Sequence, residues 1–200
     1  MYFDIVHGDT TKRIDILHGL PDDWEDAMAL CWRVFRLCDA KDYPAHSCDS
    51  FLNFITDQYL KKMFLLGRYR LYVAKDGEEI VGVLGFREKN HISLLFVDTA
   101  YQGCGIGRAL IAALVSYLEG ENRPEYLPDN EADKILDALY EKNTEPLITV
   151  NSAPSAVTFY QTAGFVQTHE QLEKDGIVYV PMEIRLRPAA TADIKKAYDT

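Results

Sequence analysis

The 200-residue sequence predicts an α/β fold, a mixed sheet flanked by helices. Three features predict it. Strand-like segments come in pairs joined by turn sequences, most clearly at Asp76-Gly77-Glu78-Glu79. Segments of helical period separate those pairs. In the middle of the chain an apolar strand, 91–97, runs into a glycine-rich turn at 102–107 that opens a strongly apolar helix.

Residues 2–6 and 13–17 read as short strands, with turn chemistry at His7-Gly8-Asp9-Thr10 between them. Pro21 and Asp22 open a helix, and Glu25 stands three residues after Asp22 as in a capping box. Ala27, Leu30, Cys31, Val34, Phe35 and Cys38 recur at helical spacing, which carries that helix to about Asp39. Residues 41–47, interrupted by Pro44, are expected to be a loop. Asp49 or Ser50 caps a second helix to about Lys62, with Phe51, Phe54, Ile55 and Tyr59 on one face.

From there the period changes to that of strands at 71–75, 80–87 and 91–97, the last apolar on both faces beyond Ser93 and so central. A helix over 108–118 follows. A loop at 120–128 and a short surface helix at 130–142 come next, then a strand at 146–150. A helix at 154–163 ends at Gly164, a suitable C-cap, and segments 165–173 and 177–187 form a last hairpin through Lys174-Asp175-Gly176. One domain over 1–187 and a loosely tied tail over 188–200 are expected.

Composition narrows the classes of function. A chain 48% hydrophobic and this long buries a core without disulfides or structural metal. Cys31, Cys38, Cys48 and Cys104 form no C-x-x-C, and the histidines at 7, 18, 46 and 169 show no ligand spacing, so reduced thiols and no metal are expected. A net charge of −10 argues against nucleic acid and anionic membrane as partners. With no apolar leader and no run of eighteen apolar residues, the expectation is a soluble, cytoplasmic protein.

The glycine-rich turn carries the chemistry. Gln102-Gly103-Cys104-Gly105-Ile106-Gly107-Arg108 precedes a helix start, where unpaired N–H groups and the macrodipole suit a phosphate. The spacing is neither G-x-G-x-x-G nor a P-loop ending in G-K-[ST]. A structural turn remains the simpler alternative. Gln102-x-x-Gly105-x-Gly107, however, is similar to the acetyl-CoA pyrophosphate loop of the GCN5-related N-acetyltransferase (GNAT) family. The preceding strand, from His91 to Val97, looks like that family's fourth strand. The stretch 150–165, with Phe159-Tyr160-x-x-x-Gly164-Phe165, resembles its second signature. The likeness covers roughly 71–186, and the first seventy residues fit only in outline.

The resemblance implies a mostly antiparallel sheet in which the family's fourth and fifth strands splay apart around the pantetheine arm of acetyl-CoA. It implies that Leu95, Phe96 and Val97 pair with that arm. Gln102, Gly103, Gly105, Ile106, Gly107 and Arg108 would hold the pyrophosphate, and Asn151 would bind pantetheine or water unless it is a simple turn residue. It implies direct acetyl transfer to an amine, with Tyr160 as the acid that protonates the leaving thiolate; packing beside Phe159 and Phe165 is the alternative reading of that side chain. The main-chain amide of Leu95 or Phe96 would stabilise the oxyanion.

An amine of pKa about 10.4 is free base in only about one molecule in 2500 at pH 7, so a base is needed. His91 stands eleven residues before Gln102, where the histone-acetylating branch of the family carries a glutamate. A solvent-facing strand-end histidine is the alternative, Ser93 could relay the proton, and Glu88 is a second candidate base. Cys104 has no partnered base nearby.

The acceptor amine, on a small molecule or a protein, would meet the first two helices, their loop and the last hairpin. That loop carries Asp39, Asp42, Tyr43, His46 and Asp49, which either receive a cationic amine or are simply solvated. Residues 119–145 exceed what a minimal member needs and would form a lid, a homodimer contact or neither. Two rival readings stand beside the enzyme: a catalytically inactive acyl-CoA-binding sensor, and a nucleotide-binding protein using the same turn.

Overall fold

The computed structural model describes residues 1–40, 43–87, 90–118, 147–174 and 176–186. Strands β1 (Tyr2–His7) and β2 (Thr10–His18) form the first hairpin. A 3-10 turn, Pro21–Asp23, leads into α1 (Trp24–Cys38). Then come α2 (Ala45–Ile55), α3 (Gln58–Leu65), β3 (Tyr69–Asp76), β4 (Glu79–Arg87) and β5 (His91–Val97). Helix α4 (Ile106–Leu118), β6 (Leu147–Ser152), α5 (Val157–Thr162), β7 (Val166–Gln167), β8 (Leu172–Lys174) and β9 (Ile177–Arg185) complete the order. The expected loop at 120–128, the helix at 130–142, Asp42, Glu88 and the tail lie outside the described residues.

The strands make one nine-stranded sheet in the order β1-β2-β3-β4-β5-β6-β9-β7, with β8 on β9. Every pairing is antiparallel except β5 with β6. Among the described residues those two strands meet only at His91↔Thr149 and Ile92↔Val150 and then part. Because a hairpin precedes the first helix, β5 and β6 here are the strands expected to splay. The order and the parting of β5 from β6 match the mostly antiparallel, splayed sheet that the sequence resemblance implies.

Each face of the sheet buries its own cluster. On one, α4 packs Ile106, Leu110 and Leu114 against Leu84, Ile92, Ile148 and Val150, a cluster that also takes in Tyr160, Phe165 and Met182. On the other, Trp24, Leu30, Cys31 and Phe64 cover Leu71, Val73, Val83 and Leu94. Cys31 is fully buried, and burial pushes its thiol upward, so it is chemically inert.

The structure redraws several boundaries. The expected single helix from 49 or 50 to 62 is two helices. Asp57 adopts an extended backbone and caps α3 by accepting from the Tyr59 N–H at 2.8 Å. Helix α2 starts at Ala45, inside the expected loop, because Pro44 occupies its N-cap position. The Asp22–Glu25 box does not form; Asp23 reaches back instead to the Leu20 N–H at 2.8 Å. The expected strand over 165–173 is divided into β7 and β8. Ser93 is a bulge, since Gly85 faces Leu94 while Phe86 faces Ile92, and its hydroxyl is held by that of Tyr69 at 2.9 Å.

Candidate active site

Where β5 and β6 diverge, the backbone edge of β5 from Ser93 to Val97 that faces β6 has no neighbouring strand among the described residues. A cavity of about 750 Å³ opens there. Its walls include Leu95, Phe96 and Val97, the turn residues Gln102, Gly103, Gly105, Ile106, Gly107 and Arg108, and, across the cleft, Asn151 and Tyr160. The structure thus brings together all the residues that the sequence assigns to the cofactor. His91 is not among the lining residues.

The glycines have distinct reasons to be glycine. Gly103 and Gly105 have φ of +78° and +85°, the left-handed region, and a Cβ at either would meet nothing within 4 Å. Gly107 has an ordinary φ, but a Cβ there would lie 3.0 Å from Cζ of Phe159 on α5. The third glycine therefore lets two helix starts approach each other. The Gly105 carbonyl accepts from the Ala109 N–H at 3.0 Å, so the N–H groups ahead of Ala109 lack intrahelical partners. They line the cavity at the positive end of α4.

The turn is anchored from both sides. The Asp98 carboxylate accepts from the Ala100 N–H at 2.9 Å and from Arg33 of α1 at 2.6 Å. Lys12 of β2 and the Tyr101 hydroxyl both donate to Asp76, at 2.6 and 2.7 Å. Gln102 donates its amide to the Val97 carbonyl at 3.1 Å, which ties the turn to the end of β5. One of its two side-chain N–H groups is thereby committed within the turn. Sequence reasoning missed this frame. Asp98 followed by Ala100 is a legible capping pattern, whereas nothing in the sequence joins Lys12 to Asp76.

Bonding to Lys12, and then to Tyr101, holds the Asp76 carboxylate below its ordinary value of 3.8. Burial pushes Asp98 up, but the Ala100 N–H and Arg33 outweigh it, so its net shift is also downward. A carboxylate depressed in the folded state stabilises above its unfolded pKa and stops doing so as pH falls through the folded value. Thermal midpoints of Asp98→Asn should therefore lie below those of the parent at pH 7. The gap should close as pH drops below about 3.8, the window of these shifts. A gap independent of pH would mean that the charge of Asp98 does not contribute.

Tyr160 is fixed by the end of α5. The Phe165 N–H donates to the Tyr160 carbonyl at 2.9 Å and the Gly164 N–H to that of Gln161 at 3.0 Å, a Schellman motif with Gly164 at φ +93°. Phe159 and Phe165 stand edge-on to its ring, both at 5.2 Å. Burial pushes its phenol upward, and among the described residues no partner bonds the hydroxyl. The group stays protonated across the physiological range.

His91 sits at the closed end of the cleft, with Nδ1 2.9 Å from Oγ1 of Thr149. Burial, and then the charge of Arg87, lowers its pKa below the ordinary 6.5, so the ring is neutral at pH 7. Ser93 is engaged with Tyr69 and, at 3.4 Å, with the Gly85 carbonyl. Of the acceptor-loop residues, Asp39 and Tyr43 line the cavity, whereas His46 and Asp49 do not. No cluster of three potential metal ligands occurs among the described residues. Nor is any described helix long and apolar enough to cross a membrane.

The family model described as an acetyltransferase (GNAT) domain matches residues 39–127 and 123–186. No significant match occurs among curated protein sequences. The chain is similar in structure to a GCN5-related N-acetyltransferase from Rhodopseudomonas palustris. Identity is 20% and the TM-score 0.62, over 86% of this chain and 95% of the other. It also resembles the PaiA N-acetyltransferase of Thermoplasma acidophilum solved with coenzyme A, at 15% identity and TM-score 0.59, covering 86% and 99%. YjaB of Escherichia coli aligns at 19% identity and TM-score 0.57, covering 85% and 96%.

Proposed function

The chain belongs to the GNAT acetyltransferase family, and from that premise we propose that it is an acetyl-CoA-dependent N-acetyltransferase of the cytoplasm. It would transfer acetyl directly to an amine of a small molecule or protein. The observation that carries the reading is that one cavity holds the glycine turn, the unpaired edge of β5 and the Tyr160 ring. The residues fit a CoA ester: open left-handed glycines before a helix start for the diphosphate, and a bare strand edge for the amide-bearing arm.

Acetyl-CoA supplies the activated thioester. The main-chain amides from Gly105 to Arg108 would hold its diphosphate, and Leu95, Phe96, Val97 and Asn151 its arm. The amide of Leu95 or Phe96 would donate to the oxyanion that forms when the amine attacks. As the new C–N bond forms and the C–S bond breaks, Tyr160 would pass its proton to sulfur, and the amine proton would leave to a base. Orientation in the cleft supplies much of the acceleration.

His91 is the base in this reading, acting through solvent, since it does not line the cavity. Its lowered pKa sets the acidic limb of the pH–rate profile below 6.5. His91→Ala should flatten that limb; an unaltered limb points to water or another group. The absence of any histidine from the described cavity walls favours one other reading, an acyl-CoA sensor without chemistry. Two measurements decide. Acetyl-CoA and CoA should raise the melting midpoint where ATP and NAD do not, and a panel of amines should release free thiol from acetyl-CoA. Stabilisation by ATP or NAD alone would overturn the family mechanism for this chain. CoA binding without thiol release on any amine of the panel would leave the sensor.

A further inference from the structure

We propose that the acceptor is an arylalkylamine, an amine carried on an aromatic ring by a short alkyl chain, bound with its ring against Phe35, Phe51 and Phe96. The inference rests on the N-acetyltransferase reading and adds the substrate class. Away from the glycine turn the cavity is walled by aromatic side chains. Phe35 and Phe51 stack at 4.2 Å with planes 25° apart, Phe51 lies 5.6 Å from Phe96, and Phe35 lies 6.0 Å from Tyr43. The wall begins on β5 itself, at Phe96, beside the backbone expected to meet the thioester. A ring seated there leaves only a short tether to the reacting carbon.

The wall is also held in shape. Tyr43 donates to the Val178 carbonyl at 2.9 Å, and the buried Ser47 hydroxyl donates to that of Gly176 at 2.8 Å. These bonds pin the α1–α2 junction to the start of β9, the two elements that close this side. Rigid aromatic surface of this kind favours edge or offset packing with another ring.

Charge narrows the class further. Among the described residues of this half of the cavity, Asp39 is the only carboxylate, and it accepts from Ser155 at 3.1 Å; no Lys, Arg or His lines it. Against the described residues alone, a polyamine would bury several ammonium groups beside one acid, and a substrate bearing carboxylates would meet no cation. A singly charged amine with an apolar ring matches what is there.

The test separates ring recognition from turnover. Saturation-transfer NMR on the full chain with CoA would compare 2-phenylethylamine, n-hexylamine and spermidine. The first should give the strongest transfer, carried by its ring protons. In the coupled thiol-release assay its kcat/KM should exceed those of n-hexylamine and spermidine by about tenfold. The conservative Phe51→Leu should lower kcat/KM for 2-phenylethylamine by about tenfold while leaving the acetyl-CoA midpoint shift in place. Equal binding of all three amines, or preference for spermidine or a lysine peptide, overturns the aromatic acceptor while the transferase reading stands. Ring-selective binding without thiol release from any amine sinks the transferase reading and leaves the ring site.

Discussion

On the proposed mechanism, Tyr160→Phe is expected to lower kcat about 10²- to 10³-fold while acetyl-CoA affinity stays within about twofold, the loss that follows when one positioned acid is removed. In barrier terms that is about 2.7–4 kcal/mol. The argument is local. The Schellman turn at Gly164 and the two flanking rings hold the side chain, and neither depends on the hydroxyl. Phenylalanine therefore keeps the packing and loses only the proton. Without that proton the thiolate, with a reference thiol pKa near 8.5, leaves unaided. Steady-state thiol release gives kcat, and calorimetric titration gives affinity. Unchanged kcat with intact binding removes Tyr160 from the chemistry and returns it to the core cluster in which it packs.

Gly105→Val is expected to weaken acetyl-CoA binding by about 100-fold and to destabilise the fold by about 1–3 kcal/mol. Two causes add. A β-branched side chain at φ +85° is strained wherever it points. The same side chain would also stand in the space over the helix start that a diphosphate would use, since nothing else lies within 4 Å of it. Gly8→Val supplies the comparison. Gly8 has φ +60° and equally open surroundings, but it lies in the β1–β2 turn. It should show comparable destabilisation with affinity unchanged. Equal affinity losses in both variants would mean that backbone strain, and not the approach to the turn, governs binding.

Much of this was legible in the sequence, for physical reasons that differ by element. The β3–β4 hairpin and the strand–turn–helix from His91 to Leu118 announce themselves because turn chemistry and periodicity agree. The end of α5 is legible because Gly164 satisfies a cap that few residues can, which places Tyr160 with it. The break between α2 and α3 was hidden. The apolar period runs unbroken through Phe54, Ile55 and Tyr59, and only the backbone turn at Asp57 separates the helices. The bulge at Ser93 was hidden too, since it depends on a hydroxyl–hydroxyl contact with Tyr69, 24 residues away in sequence. The ion pair of Lys12 with Asp76 joins residues 64 apart, beyond any local pattern. The position of His91 outside the cavity follows from strand register, which sequence spacing to Gln102 does not contain.

The brief contact between β5 and β6 has a mechanical consequence. Among the described residues, two rungs of backbone ladder join the β1–β5 and β6–β9 ribbons; apolar side chains such as Ile92, Ile148, Val150 and Met182 add cohesion beneath α4, and the Tyr43 and Ser47 hydroxyls tie the other face to Val178 and Gly176. Hydrogen-bonded rungs fix a spacing, whereas apolar contact is non-directional and yields to small sliding. The α4 side of the cleft is thus free to yield by small sliding without unzipping a strand, while the Tyr43 and Ser47 hydrogen bonds hold the opposite side.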